Sequence, residues 1–296
     1  MARPAESAES AAQPVVSAQT SASPQTDGRL FPGAELLRTT ATHARGTTTG
    51  TAVNTGIERI FEKTIGAAQM AALKSSLSSK PVVLIAGDQL TGKSTAAKSV
   101  ALVLQGEASG TGRLMRAAAE QAGKPIEEFV KSVPADFDVE LDWQATKKIA
   151  KGDVSVFESR LAGHLGQMLE RMGRKNVVSV YLVASPRERA LRYLQRELSP
   201  EVRARVEARL QLPPDATLEQ AMQAIVGLND PEANKIASLW KDIAKRDDVD
   251  KARLLELYGV DYQDRSAFDV VVSTDGKQPA DVQAEILAAV QARTAA

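Results

Sequence analysis

From residue 57 onward the chain alternates between short apolar runs and longer segments in which apolar positions recur every three or four residues. The short runs are typical of strands buried on both faces, and the periodic segments are typical of helices. Four strands are predicted in this way: VVLIA (82–86), VSVF (154–157), VVSVYLVA (177–184) and FDVVVST (268–274). Strands separated by helices predict a parallel sheet with both faces covered and right-handed crossovers. The predicted fold class is therefore α/β with three layers.

The periodic segments predict helices before, between and after these strands. They are GIERIFEKTIGAAQMAALKSSL (56–77), the segment after the first strand (93–105), a segment near 112–123, an acidic stretch (127–150) and a long region (186–257). The first of them is expected to pack on the domain as an extra helix. Inside the long region, LPPD at 212–215 is a turn and helix-start signal. Residues 198–240 are therefore expected to hold two or three short helices.

The composition changes at about residue 56. Upstream, the chain is rich in Ala, Ser, Thr, Pro, Gln and Gly and poor in large apolar residues. Such a segment cannot bury enough surface to offset the entropy of ordering, so residues 1–56 are predicted to be a disordered leader or tail. An uncleaved leader for a specialised bacterial export system has a similar composition, and both interpretations stay open. Residues 57–296 are predicted to form the folded domain.

The overall composition excludes several function classes. Lys plus Arg and Asp plus Glu both total 37, so no global positive charge attracts nucleic acid or an anionic membrane. No apolar stretch approaches the roughly 20 residues of a membrane helix. The chain has no cysteine and two histidines, which excludes disulfides, thiolate nucleophiles and the usual histidine-rich metal site. We expect a cytoplasmic protein, with export by a bacterial secretion system into a host cell as the alternative.

The most specific motif is GDQLTGKST (87–95), which directly follows the first predicted strand. It fits the phosphate-binding template G-x-x-x-x-G-K-[ST] without a mismatch, and a predicted helix follows it. In that context backbone N–H groups converge on the β-phosphate of a nucleoside triphosphate, Lys93 bridges the β- and γ-phosphates, and Ser94 coordinates Mg²⁺. The motif therefore predicts a P-loop nucleoside triphosphate hydrolase-like fold. Its expected nucleotide-binding residues are Gly87, Gly92, Lys93, Ser94 and Thr95.

The motif leaves the reaction open. A GTPase would need an N-K-x-D signature, and the nearest match, NKIA (234–237), lacks the aspartate. A motor or chaperone ATPase would show an apolar strand that ends in Asp-Glu, whereas VVSVYLVA is followed by Ser-Pro. Inside the loop, Leu90 stands where many related loops carry Gly. A side chain at this position is expected to require a strained backbone.

Four stretches, in order along the chain, resemble the cytidylate kinases among the P-loop nucleoside monophosphate kinases. They are SGTGRLMR (109–116), FESRLAGHL (157–165), RDDVDKAR (246–253) and YGVDYQDRSAFDVVVST (258–274). The resemblance covers about residues 80–290 and implies a helical lid, with an insertion, over about residues 187–250. It also implies the reaction: Mg²⁺-dependent transfer of a phosphoryl group from ATP to a nucleoside monophosphate, with CMP or dCMP as the favoured acceptor.

The resemblance further implies roles for individual side chains in the acceptor site. Thr111 is expected to contact the acceptor nucleotide, and Asp250 is expected to accept hydrogen bonds from its ribose. Planar guanidinium groups bind phosphate better than lysine does. The acceptor phosphate is therefore assigned to three arginines: Arg116, Arg160 and Arg253.

The implied catalytic residues are Lys93, Arg246, Arg192 and Arg196. Arg246 would approach the transferring phosphoryl group, while Arg192 and Arg196 would clamp the donor or its γ-phosphate. Arg192 and Arg196 lie four residues apart on a predicted helix, so a solvated charged face is an equally good interpretation of that pair. Glu158 has two interpretations as well: it tunes the water shell of the magnesium ion or it orients Arg160.

Two departures from the family pattern concern substrate preference. Met115 stands where the family has an aromatic residue, and Ser159 stands where it has glycine. Residues 198–240 are also longer than the corresponding region of compact family members, and this insertion or the leader could bind a partner protein. A second function class therefore stays open: a kinase-derived exported effector or toxin-like P-loop protein that acts on another acceptor.

Overall fold

The computed structural model describes residues 55–134, 136–213 and 215–295. The predicted disordered leader lies outside the described residues except for its last two positions. The helices are α1 (Gly56–Thr64), α2 (Ala67–Lys74), α3 (Lys93–Val103), α4 (Thr111–Gln121), α5 (Ile126–Ser132), α6 (Phe137–Lys151), α7 (Ala162–Arg171), α8 (Pro186–Glu197), α9 (Pro200–Glu207), α10 (Leu218–Gly227), α11 (Pro231–Tyr258) and α12 (Pro279–Thr294). The strands are β1 (Val82–Gly87), β2 (Ala108–Gly110), β3 (Val156–Glu158), β4 (Val177–Val183) and β5 (Val270–Ser273).

The five strands form one parallel sheet in the order β2-β3-β1-β4-β5. The predicted α/β class and parallel sheet are therefore confirmed. Strand β1 is central because all of its residues are buried and it pairs with β3 on one side and β4 on the other. Strand β2 was not predicted, because its three residues, Ala-Ser-Gly, carry no apolar pattern.

Two hydrophobic clusters cover the two faces of the sheet. Side chains along β1 alternate between them: Val82 and Leu84 belong to one cluster, and Val83 and Ile85 belong to the other. Helices α1, α2, α6 and α7 contribute to the first cluster, and α3 and α12 contribute to the second. This alternation follows from the two-residue period of a strand. It explains why an unbroken apolar run was the correct signal for β1.

Local sequence signals set several helix boundaries. The predicted single helix over 56–77 is two helices, α1 and α2, because Gly66 adopts φ 106° between them. The acidic stretch over 127–150 is likewise divided, into α5 and α6. Helices α1, α2 and α6 each contribute buried side chains to the first sheet-covering cluster.

The long helical region divides into α8, α9, α10 and α11, as the insertion was expected to do. Each of these helices begins with a side chain that accepts a backbone N–H of its first turn, which stabilises an isolated helix end. The capping residues are Ser185, Ser199, Thr217 and Asp230. Apolar residues of the four helices form a third hydrophobic cluster, separate from the two sheet faces. We call α8–α10 and the first half of α11 the lid.

One buried carboxyl group joins α6 to the end of α11. Asp142 is 5% exposed and accepts a hydrogen bond from the Tyr258 hydroxyl at 2.8 Å. Desolvation raises the pKa of Asp142 to about 7, although the Tyr258 hydrogen bond and the charge of Arg253 act in the opposite direction. Asp142 is therefore a titrating group inside the helical layer.

Among the described residues, no helix is both long enough and apolar enough to cross a membrane.

Candidate phosphoryl-transfer site

The phosphate loop connects the carboxyl end of β1 to the first turn of α3. Gly87 adopts φ 143°, and a Cβ atom there would lie 2.4 Å from the Leu182 carbonyl oxygen of β4. Gly92 adopts φ 89° immediately before α3. Leu90 adopts φ 65°, which confirms the expected strained backbone at this position. The loop therefore has the tight left-handed turns that let successive N–H groups face an anion.

Lys93 and Ser94 lie at the start of α3, where the helix dipole favours a bound anion. The Lys93 Nζ atom donates to the Asp88 carbonyl oxygen at 2.5 Å. Desolvation, helped by the charge of Arg160, lowers the pKa of Lys93 to about 8. The Ser94 hydroxyl donates to Glu158 Oε2 at 2.8 Å, whereas Thr95 is exposed.

The side chain of Asp88 anchors the loop to the segment after α11. It accepts hydrogen bonds from the Tyr262 hydroxyl at 2.9 Å, from Gln263 Nε2 at 3.0 Å and from the Tyr181 hydroxyl at 3.3 Å. Burial alone would raise the pKa of Asp88, but these donors and the neighbouring guanidinium charges outweigh it and keep the pKa below its usual value. Asp88 therefore stays ionised and fixes the beginning of the loop.

Arg160 lies at the centre of the site, directly after β3. It donates to Asp250 at 3.0 Å through Nε, to the Gly87 carbonyl oxygen at 3.2 Å and the Tyr262 hydroxyl at 2.9 Å through Nη1, and to Asp247 at 2.8 Å through Nη2. Its guanidinium group also stacks 4.7 Å from the Tyr262 ring centroid. Each of its three nitrogens thus has a partner within the protein, and two of those partners are carboxylates.

Asp247 is the second carboxylate at this position and is 5% exposed. It accepts the backbone N–H of Gln89 at 3.1 and 3.3 Å and ion-pairs with Arg160 and Arg189. Neither Asp247 nor Arg189 was predicted from the sequence as a site residue. Two sequence features could have indicated them. Asp247 is an acidic residue next to Arg246, and Arg189 lies three residues before Arg192, which puts both arginines on one face of α8.

Helix α8 contacts the phosphate loop through two arginines. Arg189 donates through Nε to the Gln89 carbonyl oxygen at 2.8 Å. Arg192 donates to the Leu90 carbonyl oxygen at 3.2 Å and to the Thr274 hydroxyl at 2.8 Å. The Leu90 side chain packs against the hydrophobic cluster of the lid. The lid is therefore attached directly to the loop that follows β1.

The structure does not bring all four predicted catalytic residues together. Lys93 and Arg192 lie at the loop. The Arg196 side chain is 54% exposed, and its described partners are Glu197, at 2.6 Å, and the Tyr193 ring. Arg196 lies on the same face of α8 as Arg192 but about 6 Å farther along the helix, one turn beyond the residue that contacts the loop. The side chain of Arg246 is exposed on α11.

Two of the predicted acceptor residues, Thr111 and Arg160, lie at the same edge of the sheet as the loop. The carboxyl ends of β2, β3 and β1 are adjacent, with Gly110 opposite Glu158 and Glu158 opposite Ile85. Thr111 begins α4 at this edge, and its hydroxyl is buried with no hydrogen-bond partner among the described residues. Arg116 is exposed one turn later on the same helix.

The remaining two predicted acceptor residues, Arg253 and Asp250, lie on α11. Arg253 ion-pairs with Asp138 of α6 and lies 3.7 Å from Asp250. Because Asp250 also ion-pairs with Arg160, consecutive ion pairs connect α6, α11 and the arginine beside the phosphate loop. Ser159, which replaces a family glycine, accepts the Leu161 N–H at 3.0 Å, so its side chain is accommodated in the turn after β3.

The fold and the loop define the chain as a P-loop nucleotide-binding protein. No family model matches it. Eight curated relatives are all named cytidylate kinase. The relative from Pyrobaculum arsenaticum is 29% identical over 65% of this chain and 83% of its own length. The relative from Haloarcula marismortui is 27% identical over 71% of this chain and 89% of its own length. The chain is therefore cytidylate kinase-like.

The chain is also similar to a solved structure of an uncharacterised protein from Eubacterium ventriosum. The TM-score is 0.47 with 13% sequence identity, and the match covers 72% of this chain and all of the other.

Proposed function

We propose that the protein transfers the γ-phosphoryl group of ATP to a nucleoside monophosphate, with CMP or dCMP as the favoured acceptor. The observation that carries the proposal is the common sheet edge. The phosphate loop after β1, Arg160 after β3 and Thr111 after β2 all lie at the carboxyl ends of adjacent strands. Two nucleotides bound at that edge would face each other, which in-line phosphoryl transfer requires. The names of the curated relatives support the same reaction.

On the donor side, Lys93 and the loop amides would hold the β- and γ-phosphates. The described residues contain no group of three or more His, Cys, Asp or Glu side chains that could hold a metal by themselves. Mg²⁺ usually binds through one or two protein oxygens plus substrate phosphates, and the paired Ser94 hydroxyl and Glu158 carboxylate fit that donor set. When bound with ATP, the ion would neutralise charge that develops on the phosphate oxygens. Thr95, at the next position of α3, is proposed for the α-phosphate.

On the acceptor side, the buried Thr111 hydroxyl, which has no hydrogen-bond partner within the described part of the chain, would contact the nucleotide. Asp250 now holds the Nε–Nη2 edge of Arg160. If Asp250 turns to accept hydrogen bonds from the acceptor ribose, that edge becomes available for the acceptor phosphate. Arg116 and Arg253 would bind the same phosphate. This exchange couples recognition of the sugar to exposure of the phosphate-binding arginine.

The arginines of α8 and α11 have different proposed roles. Arg192 would hold the donor end of the loop, because it binds the Leu90 carbonyl oxygen. Arg196 of the lid and Arg246 of the second half of α11 are exposed, and both helices would need to change position for these arginines to reach the transferring phosphoryl group. Lid closure of this kind excludes water from the reaction in other kinases. The insertion at 198–240 is proposed as the surface for any protein partner. The proposed location is the cytoplasm, where both nucleotides are found.

A coupled ADP-release assay with Mg²⁺, ATP and CMP, dCMP, UMP, AMP or GMP tests the reaction. Turnover should be highest with CMP or dCMP. Lys93→Met should abolish turnover because the phosphates lose their cation. Lys98→Met is the matched control, because Lys98 is an exposed lysine of the same helix and should behave like the wild type. ATP binding without turnover on any of the five acceptors would refute the proposed reaction and favour a kinase-derived protein with another acceptor.

The acceptor assignment has its own test. Arg116→Ala should raise the KM for CMP about tenfold or more while leaving the KM for ATP unchanged, because a charge-assisted contact to phosphate is lost on one side only. Arg59→Ala removes an exposed arginine from α1 and serves as the control. An equal rise in both KM values would contradict the assignment.

A further inference from the structure

Side chains from outside the phosphate loop bind four of its backbone groups among the described residues, including the Leu90 carbonyl oxygen, to which Arg192 donates. Arg160 donates to the Gly87 carbonyl oxygen, Arg189 donates to the Gln89 carbonyl oxygen, and Asp247 accepts the Gln89 N–H. Both polar groups of the Gln89 backbone are thus bound by an ion pair, Arg189–Asp247, whose members come from different helices. A loop held on both sides of one residue has little freedom to rotate its peptides.

Asp247 connects these contacts. Its two oxygens accept from two guanidinium groups and one amide, so the buried charge is fully compensated. Arg160 comes from the turn after β3, Arg189 from α8 of the lid, and Asp247 itself from α11. Asp247 and Arg189 meet at the Gln89 backbone, and Arg160 joins them through Asp247. Removal of the carboxylate would release the amide and take this partner from the buried Arg189 and the partly buried Arg160.

We propose that Asp247 is a positioning residue that holds the Gln89 peptide, and with it the phosphate loop, in the nucleotide-binding conformation before ATP arrives. This inference rests on the proposed function only in naming ATP as the ligand. The described partners of the Asp247 carboxylate are the Gln89 amide and two guanidinium groups, so the proposed role requires no contact between Asp247 and the phosphates. It acts through the loop amides. A loop that samples other conformations binds its ligand more weakly, because the apparent Kd rises as the fraction of molecules in the binding conformation falls.

The proposal predicts a selective effect on the donor nucleotide. Asp247→Asn keeps the shape of the side chain but removes the charge, and its amide nitrogen cannot accept from a guanidinium group. The Kd for ATP should rise about tenfold or more, whereas the KM for the acceptor should change less. Asp248→Asn is the matched control, because Asp248 is the next residue, carries the same charge and is exposed. It should bind ATP within about twofold of the wild type.

A second readout needs no nucleotide. In the ligand-free wild type, the Gln89 amide should be protected from hydrogen exchange by its bond to Asp247. Asp247→Asn should speed that exchange about tenfold or more, while amides in the middle of β1 remain as protected as before. A general loss of stability would instead raise exchange in the strand as well. Selective loss at Gln89 supports positioning, and unchanged Gln89 exchange refutes it.

If Asp247→Asn fails to fold, Arg189→Lys tests the same contact from the other partner. Lysine keeps the charge but cannot bind the Gln89 carbonyl oxygen and the carboxylate together. It should speed Gln89 exchange and weaken ATP binding, with Arg187→Lys as the control on the exposed side of α8. Failure of the wild type to bind ATP would refute the proposed function, while the exchange measurement would still support or overturn the role of Asp247.

Discussion

Replacement of Asp142 by asparagine should stabilise the protein at neutral and alkaline pH. The carboxyl group is almost fully buried between α6 and α11, and burial raises its pKa to about 7 from an ordinary value of 3.8. Asparagine carries no charge to desolvate, and its side-chain oxygen can still accept the hydrogen bond from the Tyr258 hydroxyl. The substitution removes the cost of burying an ion but keeps the contact.

The magnitude follows from the pKa shift. A rise of about 3 pKa units corresponds to about 4 kcal/mol at pH 8, since each unit is about 1.4 kcal/mol. The sign follows from proton binding: between about pH 4 and pH 7 the folded state keeps a proton that the unfolded state has lost. In the wild type, this group therefore lowers the free energy of unfolding as the pH rises toward 7, and the loss stops above pH 7. The variant has no such loss.

Urea unfolding at pH 5, 6, 7 and 8 measures the effect. The difference in unfolding free energy between Asp142→Asn and the wild type should increase by about 2 to 3 kcal/mol from pH 5 to pH 8. Asp153→Asn removes an exposed carboxylate just beyond the end of α6 and should show a nearly constant difference. A difference for Asp142→Asn that does not depend on pH would refute the reasoning, because the carboxyl group would then titrate normally in the folded state.

Three further predictions concern the phosphate loop. Leu90→Gly should be more stable than Leu90→Ala by about 1 kcal/mol in thermal or urea unfolding. Both variants lose the contact with the lid, but only glycine relieves the strain of the left-handed backbone. The opposite order of stability would show that this strain is absent. At pH 8.5, ATP binding should be accompanied by uptake of most of a proton. The pKa of Lys93 is about 8 without ligand, and a bound phosphate favours the protonated, charged amine. Calorimetry in buffers of different ionisation enthalpy detects this uptake, and Lys93→Arg should abolish it. Arg192→Ala should lower the melting temperature by several degrees, because its hydrogen bonds to Thr274 and Leu90 are lost. The control Arg187→Ala should leave the melting temperature unchanged. Equal effects of the two substitutions would contradict a specific role for Arg192.

The donor half of the site could be predicted because its information is local. Gly87, Lys93 and Ser94 lie within eight consecutive residues between a strand and a helix, so one motif fixes their relative positions. The same holds for Leu90, whose unusual backbone followed from its place in the template. Inside the lid, only the turn and helix start at LPPD (212–215) were predicted, although the capping residues of the structure mark all four helix starts.

The contacts that hold the loop could not be predicted in the same way. Gln89 and Asp247 are separated by 158 residues, and no pattern in either segment indicates that they meet. Charged residues on helices are usually solvated, so burial of Arg189 and Asp247 is visible only after the helices pack. Strand β2 was missed for a related reason, since a three-residue edge strand of small residues carries no periodic signal.

The strand order has a consequence for synthesis of the chain. Strand β1 leaves the ribosome before the other four described strands, and its partners β3 and β4 follow about 70 and 95 residues later. At a translation rate of about 5–20 residues per second, both edges of this apolar strand stay open for several seconds. Aggregation of nascent chains, and their capture by chaperones, should therefore fall sharply once the ribosome has passed β4.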